Sequence, residues 1–162
     1  MSQRANPYRG SIRLRPARPE DREFFFTTRR AALGPYADEL WGWDDAHQRS
    51  LADKEFDELP IRIIEESGTP VGYLCVLHQA DHDFIDEVAL LPEAQGRGIG
   101  SSLVTDIMSA ASDRGLPVRL SVLVNNPARR LYERLGFRVS SIEHSRVKME
   151  WRPEPADLSD CS

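Results

Sequence analysis

Between Phe84 and Ala111 the chain passes from an apolar run, through three glycines at alternate positions, into an apolar stripe of helical period. The run Phe84 to Leu91 has the length and β-branched content of a buried strand. After Gly96, Gly98 and Gly100, the residues Ile99, Leu103, Ile107 and Ala110, with Val104, Met108 and Ala111, recur at the spacing of one helix face, and Arg114-Gly115 supplies the stop. A strand that runs into glycines and then a helix presents free backbone N–H groups and the positive end of the helix dipole at one point. Glycine leaves no Cβ between that backbone and an approaching oxygen. The segment therefore predicts a phosphate site and an α/β architecture built around it.

Two familiar phosphate loops do not fit. A Walker-type loop needs four residues between its glycines followed by Lys-Ser/Thr, whereas Gly100 is followed by Ser101-Ser102 with no lysine. A dinucleotide loop needs G-x-G-x-x-G/A on the first strand of its unit and an acid about 20 residues further on. Here Ser101 takes the third glycine position, the strand is the fourth of the chain, and the next strand ends at Asn125 rather than at an acid.

The rest of the pattern frames this segment. Ser11 to Arg15 alternates with period two and ends at Pro16; Pro19, Glu20 and Asp21 then start a helix predicted to stop at Gly34-Pro35. A second helix follows Asp44, a side chain suited to an N-cap. Ile61 to Glu65, Val71 to Leu77 and Phe84 to Leu91 are separated by turn signals and read as an antiparallel meander. Val118 to Val124 is another strand, Asn126-Pro127 opens a helix that ends at Gly136, and Phe137 to Val139 with Val147 to Trp151 form a closing pair. The order β, α, α, β, β, β, α, β, α, β, β predicts a single α/β (α+β) domain, residues 1–152: a mixed, mostly antiparallel sheet of about seven strands flanked by about four helices. Residues 153–162, "PEPADLSDCS" from Pro153 on, read as an acidic tail.

Composition removes several classes of function. The net charge is −5, and residues 1–152 are near −2 once Glu154, Asp157 and Asp160 are set aside, so neither nucleic acid nor an anionic membrane is an expected partner. Two cysteines, Cys75 in an apolar run and Cys161 near the end, make neither a disulfide framework nor a metal site, and a cytoplasmic setting is expected. No stretch reaches the roughly 18 apolar residues of a membrane span.

With the other loops set aside, the pattern Gln/Arg-x-x-Gly-x-Gly/Ala remains, matched by Gln95, Gly98 and Gly100 after "VALLPE". In this segment the sequence resembles the GNAT superfamily of N-acetyltransferases. A second segment, "VNNPARRLYERLGF" at residues 124–137, is similar to the superfamily's Asn-x-x-Ala-x-x-x-Tyr-(x)3-Gly-Phe stretch, and "VKMEW" fits its last strand. The resemblance covers residues 12 to 151.

The resemblance implies a sheet splayed between its fourth and fifth strands, with acetyl-CoA in the cleft and no metal. It implies that the pyrophosphate rests on the backbone of Gln95, Gly96, Arg97, Gly98, Ile99, Gly100 and Ser101. Main-chain groups of Leu90 and Leu91 would face the pantetheine arm, and Asn125 would contact the cofactor from the fifth strand. An amine would attack the thioester directly, with Tyr132 protonating the departing sulfur. For the base, strand alternation suggests that Asp86 and Glu87 face opposite sides. Asp86 shares its parity with the apolar Phe84, Val88 and Leu90, so Glu87 is the expected base, acting through water; a site without a dedicated base also fits the resemblance.

The acceptor is expected in the connection between the first two helices, residues 34–45, where Tyr36, Glu39, Trp41 and Trp43, with Asp44 and His47, offer aromatic walls and acids for a cationic amine. A small-molecule or peptide amine is the expected partner, and the resemblance admits a homodimer. A different acyl-CoA donor, or a module that binds acyl-CoA without catalysis, stays open at this stage.

Overall fold

The computed structural model describes residues 11–155. The expected order of elements is present: β1 (Ile12–Pro16), α1 (Arg22–Trp41), α2 (Asp45–Glu58), β2 (Ile61–Glu66), β3 (Thr69–His78), β4 (Asp83–Leu90), α3 (Ile99–Asp113), β5 (Val118–Leu123), α4 (Ala128–Leu135), β6 (Arg138–Glu143) and β7 (Arg146–Trp151). They form one seven-stranded sheet in the order β1-β2-β3-β4-β5-β7-β6. Neighbours are antiparallel except β4 and β5. Cys161 and most of the acidic tail lie outside the described residues.

Helices cover both faces. On one, Phe25 and Phe26 of α1 and Ala52 of α2 pack against Ile63, Tyr73, Cys75 and Ala89. On the other, α3 straddles the sheet: Leu103 packs with Ile64, Val71 and Leu74, while the adjacent Val104 packs with Val118, Leu120, Val147 and Met149 beside Tyr132 of α4. Burying aliphatic and aromatic side chains of this kind contributes about 1.5–3 kcal/mol each.

The first helix does not stop at Gly34-Pro35. It continues to Trp41 and ends at Gly42, whose φ of 78° only glycine adopts without strain. There Asp38 closes the end twice: its carbonyl accepts from the Gly42 amide at 2.9 Å and its Oδ1 accepts from the Trp43 amide at 2.8 Å. Pro35 removes one helical donor, a cost the helix carries because the next turn buries Ala37. Consequently Tyr36 and Glu39 are helical, and the connection to α2 shrinks to Gly42, Trp43 and Asp44. Asp44 caps α2 as expected, accepting from the His47 amide at 3.1 Å.

Candidate active site

The cleft follows from a shortage of pairing. β4 and β5 are joined at only three positions, Asp83 with Val118, Phe84 with Arg119 and Ile85 with Leu120. Beyond Ile85 and Leu120 they part, and a cavity of about 380 Å³ opens between them, walled on the other side by α1 and α2.

A bulge shapes its floor. Cys75 pairs with Glu87 and Val76 with Ile85, which leaves Asp86 as an extra residue on β4. Ile85 and Val88 therefore both pack toward α3, although they are three positions apart, and Asp86 and Glu87 both line the cavity. The expectation that these two carboxylates face opposite sides is corrected: simple alternation fails because the partner strand skips a residue.

The two carboxylates differ in company. Glu87 Oε1 accepts from the Tyr73 hydroxyl at 2.5 Å and from Arg29 Nε at 3.2 Å, and Arg29 Nη2 bridges Glu87 Oε2 and Glu55. Burial pushes the Glu87 carboxyl up from its ordinary value against the downward pull of Arg29 and Tyr73. Burial and Glu87 raise the Tyr73 hydroxyl, which keeps it protonated. For Arg29, burial alone would lower the pKa, but Glu87, Tyr73 and Glu55 raise it, so the guanidinium stays charged. Asp86 has no hydrogen-bond or ion-pair partner among the described residues; burial, then Glu55, pushes its carboxyl up, with Arg29 and Arg146 opposing. Sequence reasoning missed Arg29 and Glu55. A charged residue four positions after the buried Phe25 was the available signal, because a helix face that buries an arginine must supply it with anions.

The glycine loop stands at the end of β4. Gly96 and Gly98 have φ of 72° and 85°, and a Cβ on Gly96 would meet nothing within 4 Å. Gly98 is the N-cap of α3, with no side chain capping it. The helix's first backbone bond runs from the Ser102 amide to the Gly98 carbonyl at 3.0 Å, so the amides of Ile99, Gly100 and Ser101 have no helical acceptor. Ile99 is 1% exposed and anchors the loop in the core. Open glycines and unused amides suit the pyrophosphate of a nucleotide.

Neighbouring groups are partly engaged: Gln95 Nε2 donates to the Leu90 carbonyl at 2.9 Å, the Leu91 amide donates to Val71 at 2.8 Å, and Arg97 pairs with Glu66 at 2.6 Å. Thus Leu90 keeps one carbonyl lone pair, and the Leu91 amide is committed to β3.

Tyr132, 6% exposed, lines the cavity from α4 and packs edge-on against Phe137 with ring centres 5.7 Å apart. Burial pushes its hydroxyl up to about 12, so it is fully protonated at neutral pH. Asn125 points at α1: its Nδ2 donates to the Tyr36 carbonyl at 3.1 Å, and its Oδ1 is buried with no partner among the described residues. Of the four residues expected for the acceptor, Trp41 and Trp43 line the cavity and Tyr36 and Glu39 do not. Among the described residues no group of three or more His, Cys, Asp or Glu side chains could hold a metal ion, and no helix is long and apolar enough to cross a membrane.

Comparison with known proteins agrees with this geometry. Residues 21–137 match the family model described as acetyltransferase (GNAT) family. The chain belongs to the GNAT acetyltransferases. A mycothiol acetyltransferase from Thermomonospora curvata is 34% identical over 102 residues, 60% of this chain and 33% of that protein. A 5-NmdU N-acetyltransferase from Pseudomonas phage PaMx11 is 30% identical over 82 residues, 49% of this chain and 58% of that one. The GNAT chain thus spans about a third and somewhat over half of the lengths of these relatives. Among solved structures, the PaiA N-acetyltransferase of Thermoplasma acidophilum in complex with coenzyme A superposes with a TM-score of 0.71 at 18% identity, covering 88% of this chain and 99% of that one. The ribosomal-protein-S18-alanine N-acetyltransferase of Escherichia coli gives 0.65 at 16% identity, covering 90% and 97%. These two likenesses establish the GNAT fold, including its open sheet with one parallel pair.

Proposed function

We propose that this GNAT chain transfers the acetyl group of acetyl-CoA to a primary amine of a small molecule or peptide, by direct attack in the cleft between β4 and β5. The observation that carries the reading is convergence: Asp86 and Tyr132 line one cavity where the two strands part, and the glycine loop follows at the end of β4. The pyrophosphate rests on the amides from Gly96 to Ser101, and the free lone pair of the Leu90 carbonyl faces the pantetheine arm, which pairs with a strand edge much as a peptide does.

The chemistry needs a neutral amine, a place for its proton and an acid for the sulfur. The amine nitrogen bonds to the thioester carbonyl carbon, the C–S bond breaks, the thiolate takes a proton from the Tyr132 hydroxyl, and the proton that the nitrogen sheds as it becomes the amide restores that hydroxyl. In this reading the base is Asp86 rather than Glu87. Glu87 is held by Arg29 and Tyr73 and acts as a fixed anion that keeps Arg29 and Glu55 in place. Asp86, unpartnered and raised by burial, takes the ammonium proton directly or through water.

The test is release of free CoA from acetyl-CoA across polyamines, amino acids, aminoglycosides and N-terminal peptides, beside a Gly98→Asp variant. The expected result is turnover with at least one amine, and no acetyl-CoA binding in Gly98→Asp, where a side chain and a negative charge occupy the pyrophosphate position. Binding of acetyl-CoA with no CoA released by any amine would instead identify a binding module. Preference for a longer acyl chain would change the donor.

A further inference from the structure

We propose that the acceptor is an amine that also carries a carboxylate, with Arg146 holding the carboxylate while the amine faces Asp86; this rests on the acetyl-transfer reading above. Arg146 is the first residue of β7 and pairs with Leu123 at the end of β5, so it stands where the cleft is widest. It lines the same cavity as Asp86. It is exposed and its side chain has no ion pair or hydrogen bond among the described residues, whereas Arg22, Arg29, Arg30 and Arg49 on α1 and α2 are each paired with a carboxylate.

The cavity is therefore polarised. Glu55, Asp86 and Glu87 enter it from α2 and β4 with Arg29 of α1 among them, while Arg146 enters from β7, two strands from β4 in the sheet, and Trp41, Trp43 and Leu51 supply apolar wall. An amine enters the acidic side readily, but a second cation, as in a polyamine, would meet Arg146. A carboxylate meets a planar fork of donors that it can bind through both oxygens. A molecule with an ammonium at one end, a carboxylate at the other and a short apolar spacer matches the charge order of the cavity.

The experiment compares acetylation of glycine, 4-aminobutyrate and 6-aminohexanoate with that of n-alkylamines and cadaverine, in the wild type, Arg146→Ala and Arg146→Glu. Calorimetry of each acceptor is run in the presence of CoA. The expected result is a wild-type preference for at least one amino acid over its alkylamine of about 10- to 100-fold in kcat/KM. In Arg146→Ala that preference is lost through acceptor KM, with the KM of acetyl-CoA unchanged and the KM of the alkylamines little altered. Arg146→Glu turns the preference toward cadaverine. Equal wild-type rates for amino acids and alkylamines, or an Arg146→Ala effect confined to acetyl-CoA, overturns the proposal. Arg146-dependent binding of an amino acid without turnover supports this assignment and removes the acetyl-transfer reading; no binding and no turnover removes both.

Discussion

The side-chain amide of Asn125 donates a hydrogen bond to the main-chain carbonyl of Tyr36 at 3.1 Å, joining the end of β5 to the last turns of α1 over the cleft. The resemblance makes Asn125 an expected cofactor contact, while its hydrogen bond ties it to the helix that carries Trp41. Asn125→Ala should raise the acceptor KM by roughly 3- to 10-fold, the size of one hydrogen bond, with acetyl-CoA affinity little changed. Amide exchange over residues 34–41 should quicken in the same variant. A shift confined to acetyl-CoA affinity would return Asn125 to the cofactor.

Gly72 is where the β3–β4 pair tolerates no side chain. A Cβ there would lie 2.2 Å from the Ala89 carbonyl oxygen and 2.9 Å from Leu90 Cδ2. Backbone cannot yield as a flexible side chain can. Gly72→Ala should cost about 1–3 kcal/mol, lowering the melting temperature by about 2–4 °C per kcal/mol, and it should weaken acetyl-CoA binding by displacing Leu90. Gly96→Ala is the control: it clashes with nothing, so its cost is the strain of a φ of 72° alone. Equal melting temperatures for wild type and Gly72→Ala would remove the clash.

Asp86 separates activity from stability. Its folded-state pKa lies above the ordinary 3.8. Between those two values the native chain holds a proton that the unfolded chain has released, so stability rises as pH falls through that window and the buried charge is a cost at neutral pH. Asp86→Asn should therefore melt higher than wild type at pH 7, with the difference shrinking as the pH approaches 4. Its kcat should fall by about 10²- to 10⁴-fold. Glu87→Gln should do the reverse on stability, since it leaves the Arg29 guanidinium with less countercharge. A pH profile of kcat/KM and thermal melts of both variants separate the two carboxylates.

Tyr132→Phe keeps the ring against Phe137 and removes only the hydroxyl. Its kcat should fall by roughly 10- to 1000-fold while acetyl-CoA affinity stays similar, the pattern of a lost proton donor. An unaltered rate would reduce Tyr132 to a packing residue.

What the sequence revealed and what it hid divide along local and non-local lines. The strand periods, the stop at Gly136 and the glycine loop are written in neighbouring residues and so were legible; the helix start expected at Pro19 is instead a 3-10 turn, Pro19–Asp21, that leads into α1 at Arg22. Gly34-Pro35 misled because stop signals are weighed against propensity alone, while burial of Ala37 and the Asp38–Gly42 closure lie beyond the signal. The pairing of both acids with one cavity was hidden for a different reason. It depends on β3 skipping opposite Asp86, a matter of register between strands that no single strand encodes. The grouping of Arg29, Glu55, Tyr73 and Glu87 likewise draws on four separate elements.

The three-pair junction between β4 and β5 also sets where this sheet comes apart first. Each half has its own core, and α3 is pinned into both through the neighbouring Leu103 and Val104. Native-state breathing should then run along that seam, with α3 as the pivot. A cofactor lodged in the opening with its phosphates on the first turn of α3 would act as a splint across it.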